Sequence, residues 1–280
     1  MRSSTASDQM TQTRLIESGT RGRRALRHLH APLDEDDPEL FLDARRAPVV
    51  DAFTGAVVLG TVEHHLRRAG KRYSATVAAP ESGDVIGRFA TLMWLAPERC
   101  ALDLPVGQTA PVRDPRILLP ATRVDSNEQA NALARFLGAS SQRSQLGDAR
   151  LSPKEAATLA EALPVLAENA LRHADGSTCG AVICAALESD NREAQLVVLD
   201  LGEQVSGAEN PLEEIRAAWA RSRERLGGLF YATELAERRG LDVSLQVKSG
   251  DAAARWRDRF HSEPTAEFSP GWTTGVIIHR

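Results

Sequence analysis

Long apolar runs are missing from this chain of 280 residues. No stretch approaches the roughly 20 residues that a membrane-spanning helix needs, and the opening Met1 to Gln12 is too polar for a secretory signal. Cysteine is scarce. Cys100, Cys179 and Cys184 are odd in number and lack C-x-x-C spacing, which excludes a disulfide framework and predicts reduced, buried thiols in a cytoplasmic protein. If Cys179 and Cys184 share a strand, their odd spacing puts them on opposite faces, so they do not form a metal pair. No charge dominates either: the net charge is -4, which draws the chain to neither nucleic acid nor anionic membrane. The sequence also lacks a phosphate-binding G-x-x-x-x-G-K-[ST] loop, a G-x-S-x-G elbow and an H-E-x-x-H pair.

What is present centres on Val165-Leu-Ala-Glu-Asn-Ala-Leu-Arg-His173, followed by the apolar run Leu196 to Leu199 and then Asp200-Leu201-Gly202. Residues i, i+3 and i+4 share a helix face, so Asn169, Arg172 and His173 are expected to point the same way. A carboxylate at the end of a buried strand, with glycine two residues on, can accept a hydrogen bond from an amino group while the backbone passes close to a flat ring. Together these features read as a nucleotide pocket. Each has a plainer reading as well: a strand-ending turn at Asp200 and Gly202, an Asn169 that satisfies buried backbone, and an ordinary helix-to-loop turn at Gly227 and Gly228.

Residues 117–280 resemble the GHKL ATPase superfamily, which includes gyrase B, MutL, sensor histidine kinases and the anti-sigma-factor serine kinases. The resemblance implies a two-layer α/β sandwich, the Bergerat fold, that binds ATP and Mg²⁺. It makes Asn169 the metal ligand, Arg172 and His173 contacts to the nucleotide, Asp200 the acceptor of the adenine amino group and Gly202 the close-approach glycine. Leu226-Gly-Gly-Leu-Phe-Tyr231 resembles the glycine lid, with Gly227 and Gly228 near the phosphates. Pro270 to His279 resembles the closing strand, where Thr274, with Thr273 second, would lie beside Asp200.

The departures bear on catalysis. Members that hydrolyse or transfer phosphate carry Glu or Asn four residues before the metal Asn, and here that position is Val165, which can be neither a base nor a metal ligand. Glu168 is adjacent to Asn169 but diverges from it by about 100° around a helix. Gln204, Glu224 and Leu226 replace further glycines, and Pro164 is expected to kink the helix. No catalytic residue is assigned. The reading is an ATP-binding regulatory protein. A serine kinase or ATPase with a base from elsewhere, such as Glu161, is one alternative, and a pseudo-ATPase scaffold is the other. A histidine kinase needs a dimerisation helix pair with a phospho-acceptor histidine just before such a domain, and Ala110 to Arg123 offers none, which argues against that class.

Three regions are expected. Residues 1–47 carry the basic Arg21 to Arg27 and the acidic Asp34 to Asp37 with few large apolar side chains, which predicts a disordered tail. Residues 48–113 read as a small α/β module, loosely similar to STAS-like segments, with a helix through Ala69, a strand at Tyr73 to Val77 and a helix at Gly87 to Trp94. This module is the expected site of a protein partner. A Pro- and Gly-rich linker near Pro105 to Pro115 leads to the GHKL-like domain, 117–280. Adjacent His64 and His65 diverge on their helix and read as packing or surface residues. The sequence leaves a homodimer open.

Overall fold

Helix α1 (Ala52–Ala69) is buried on nearly every side, from Ala52 to Glu63 without interruption. A helix that is apolar all round belongs between layers rather than at a surface, and α1 lies between two sheets. The computed structural model describes residues 12–15, 39–45, 50–69, 74–81, 83–94, 98–104, 114–139, 151–173, 180–187, 192–202, 211–224, 228–256 and 260–280.

The first sheet is parallel, with β1 (Gln12–Leu15), β2 (Glu39–Asp43), β3 (Ser74–Ala78) and β4 (Ala101–Asp103) side by side in chain order. Helix α1 connects β2 to β3, and α2 (Gly83–Leu92) connects β3 to β4. The second sheet is antiparallel, in the order β5 (Ile117–Val124), β6 (Ala181–Leu187), β7 (Glu193–Asp200), β9 (Phe260–His279), β8 (Asp242–Trp256). Its far face is covered by α3 (Asn127–Gly138), α4 (Pro153–His173), α5 (Pro211–Glu224) and α6 (Gly228–Arg238). The class is mixed α/β, as the sequence predicts.

The N-terminal module is not a separate body beside the second sheet. One apolar cluster joins Leu40, Leu42, Phe53, Val57 and Phe89 to Ile117, Val182, Val197, Leu199, Leu201 and Ile277. The sheet is therefore covered on both faces, and all seven residues of β6 are buried. Polar ties reinforce the join. Glu63 of α1, fully buried, accepts from Arg99 Nη2 at 2.7 Å and from Arg123 Nη1 of β5 at 2.6 Å. Arg88 of α2 donates to the carbonyls of Val50 and Leu187, and burial lowers its pKa against the pull of Asp114.

The expected tail must be shortened. Glu39–Asp43 forms β2 with Leu40 and Leu42 buried, and Gln12–Leu15 pairs beside it as β1. The alternating Leu40 and Leu42 supply an apolar strand face that averaging over the polar first 47 residues conceals. The basic and acidic clusters and most of the expected linker lie outside the described residues.

Local signals set the helix starts. Asp51 caps α1, accepting from the Thr54 N–H at 2.9 Å and its hydroxyl at 3.0 Å. Ser152 and Glu155 form the capping box that the sequence predicts: the Ser152 N–H donates to Glu155 at 2.5 Å and the Glu155 N–H to Ser152 at 3.3 Å. Helix α4 runs unbroken through Pro164. Gly240, with φ of 67°, turns the chain out of α6, a conformation that glycine adopts without strain.

Candidate functional site

Strand alternation decides which side chains share a surface. On β7, Leu196 and Val198 face the helices α3 to α6, whereas Val197 and Leu199 face α1. Asp200 continues the helix side and Leu201 the α1 side. On β9, Val276 and Ile278 face the helices and Ile277 faces α1, so Thr274 shares the face of Asp200. Thr273 belongs to the opposite face, which separates the two threonine candidates. Thr274 pairs with Val198 and Thr273 with Leu199, placing Thr274 on the strand next to Asp200 at the same end of the sheet.

Asp200 is buried, and its Oδ1 accepts the Gly202 N–H at 2.7 Å, holding the turn that follows β7. Gly202 is buried as well. Helix α4 packs on this face through Leu163, Leu166, Ala167 and Ala170, leaving Asn169 half-buried at its edge. There Asn169 meets the start of α6. A Cβ built on Gly228 would lie 3.3 Å from Val165 Cγ1 and from the Val165 carbonyl oxygen, and 3.8 Å from Asn169 Cβ. The structure thus brings Asn169 to Gly228 and Asp200 to Thr274.

Arg172 departs from the expectation. It is exposed and forms an ion pair with Glu168 one turn earlier, so its guanidinium is engaged at the surface and not with the Asn169 face. Glu preceding Arg by four residues on a helix favours this pairing. His173 is the last residue of α4, with its side chain outside the described residues, as are Gly227 and Gln204.

Val165 has a role that the sequence does not reveal, because its side chain lies against Gly228. The position four residues before Asn169 is thus a close contact between two helices. The segment after Gly202 is also partly fixed: Ile215 of α5 is fully buried, and Trp219 packs edge-to-face on Phe230 of α6 at 6.1 Å between ring centres. Helix α5 is thereby anchored against α6.

Two other polar features lie elsewhere. Ser244 Oγ is 3.0 Å from His279 Nε2, and His279 Nδ1 is 3.4 Å from Glu193 Oε1, a serine, histidine and carboxylate in series across three strands. Ser244 is fully buried, so this relay is closed to a substrate and orders the edge of the sheet. It sits at the start of β7, about 23 Å along the strand from Asp200 at 3.3 Å per residue. An open groove of about 480 Å³ between α3 and α4 is lined by residues including Glu128, Arg135, Ala160 and Glu161; Glu161, the alternative base named above, is ion-paired with Arg239, and none of the nucleotide-contact candidates lines the groove.

No family model, curated protein or solved structure matches the chain. The functional reading therefore stands on the residues themselves. Among those described, no three His, Cys, Asp or Glu side chains gather as a metal site, and no helix is long and apolar enough to cross a membrane. Cys100 and Cys184 are buried thiols; burial pushes Cys100 up to about 11 and Cys184 further upward.

Proposed function

We propose that this chain is an ATP-binding regulatory protein with a GHKL-like nucleotide site and an N-terminal module that engages a protein partner. The observation that carries the reading is the placement of Asp200 and Thr274 on one face of adjacent strands, the face on which the Asn169 helix packs. Asp200 would accept the adenine amino group, with Thr274 beside it. Asn169 would contribute one oxygen to Mg²⁺, and the nucleotide phosphates would supply others, a division that suits a cation usually held by few protein ligands. Bound Mg²⁺ would neutralise phosphate charge.

Binding without efficient hydrolysis is favoured over a serine kinase or ATPase by one contact. Val165 fills the place of the base and is closed in by Gly228, so the site holds no water-activating group there.

Thermal melting with ATP, ADP and GTP, with and without Mg²⁺, tests the proposal. A ligand that binds only the native state stabilises it by mass action, by about 2.7 kcal/mol at a hundred times its Kd. We expect an adenine-selective, Mg²⁺-dependent rise of several degrees that Asp200→Asn abolishes. An unchanged melting temperature with every nucleotide would leave the scaffold reading in its place.

A further inference from the structure

The two strands that carry Asp200 and Thr274 carry the N-terminal module on their other side. Immediately after Asp200, Leu201 enters the apolar cluster of α1, α2 and the parallel sheet. Immediately after Thr274 comes Gly275, and the ring of Phe53 lies on it. A Cβ built on Gly275 would stand 2.1 Å from Phe53 Cζ and 2.9 Å from both Cε atoms, so no other residue fits beneath the ring as it is placed. Phe53 is itself buried, in the first turn of α1, which Asp51 caps. Only the thickness of one sheet separates the candidate adenine contacts from this wedge.

We propose that Phe53 is a positioning residue for the nucleotide pocket. Resting on Gly275 and sharing a cluster with Leu201, it sets the stretch of β9 that carries Thr274 and the end of β7 at Asp200, from which the two side chains meet the base. The inference rests on the nucleotide-binding reading and adds its regulation: occupancy of the pocket and packing of the N-terminal module are one linked equilibrium. Linkage is reciprocal, so a partner that shifts α1 changes nucleotide affinity by the factor with which nucleotide changes affinity for that partner. Close-packed interiors transmit such displacements because they contain few voids to absorb them.

The test uses the full chain and ATP with Mg²⁺. Calorimetric titration compares wild type, Phe53→Leu, Gly275→Ala and the double variant, with melting in the absence of nucleotide to report folding. Hydrogen exchange in the wild type follows the amides of Thr54 and Gly55, which are bonded to Asp51 across the sheet from the pocket. We expect Phe53→Leu to weaken ATP binding about tenfold while still melting cooperatively. Gly275→Ala should weaken it more, with part of the loss restored in the double variant, and ATP should slow exchange at Thr54 and Gly55. If wild type binds ATP but its exchange at these amides is unchanged and Phe53→Leu binds as wild type does, the coupling is wrong and the nucleotide reading survives. If wild type binds no ATP, both fall.

Discussion

Glu63 ties together three segments that are distant in the chain. Its carboxylate is fully buried in α1 and takes Arg99, which follows α2, and Arg123, at the end of β5, into one cluster. Both arginines are partly exposed, whereas the carboxylate has no contact with water. Removing the arginines from a buried carboxylate leaves it uncompensated, at a cost of about 3–5 kcal/mol. We expect Arg99→Ala combined with Arg123→Ala to lose stability in that range, read from the midpoint of urea unfolding. A loss below about 1 kcal/mol, typical of a solvated surface pair, would show that the cluster does not hold the two parts together. Nothing in the sequence marks this glutamate, because its partners are distant in the chain. The strand end at Asp200 was legible for the opposite reason: an apolar strand ending in a carboxylate and a glycine two residues later is a local pattern. The wedge of Phe53 on Gly275 and the closure of Val165 by Gly228 are contacts between distant segments, invisible to spacing.

Elements were legible where one face was continuously apolar. Strand β6 coincides with the run Ala181 to Leu187, and the Ser152 and Glu155 box opens α4 as its residue types require. Strand β9 runs longer than expected, from Phe260 rather than Pro270, because its first half pairs with the distal half of β8 without an apolar periodicity to announce it. Strand β2 was missed because it is only five residues long and is flanked by polar sequence. Helix α1 gives the element-scale test. Its first turn depends on Asp51, whose Oδ1 takes two hydrogen bonds from Thr54. Replacing an N-cap carboxylate costs about 0.5–2 kcal/mol. Asp51→Ala should therefore lower the unfolding free energy by that amount in denaturant titration, and no change would mean that packing alone fixes the start of the helix.

At the scale of the molecule, the stack of parallel sheet, helices, antiparallel sheet and helices has a shared cover at its centre. Deleting residues 1–113 would strip the cover from Ile117, Ala121, Val182, Val197, Leu199, Leu201 and Ile277 at once. We expect the remaining fragment to bind a hydrophobic dye and to melt without a sharp transition, as polypeptides do when specific packing is lost. A fragment that melted cooperatively and bound no dye would show that the module is dispensable to the sheet. The sequence suggested two bodies joined by a linker because a Pro- and Gly-rich stretch lies between them, yet composition is silent on whether the flanking units pack together.

The seating of Phe53 on Gly275 also sets a schedule during synthesis. Helix α1 is made first, and the stretch of strand that receives its ring follows 222 residues later. At about 5–20 residues added per second, the ring waits roughly 10–40 s for its seat. During that interval an apolar helix is on the ribosome before half of its covering has been translated. We expect codons or chaperones that alter the length of that wait to change yield without altering one contact of the finished fold.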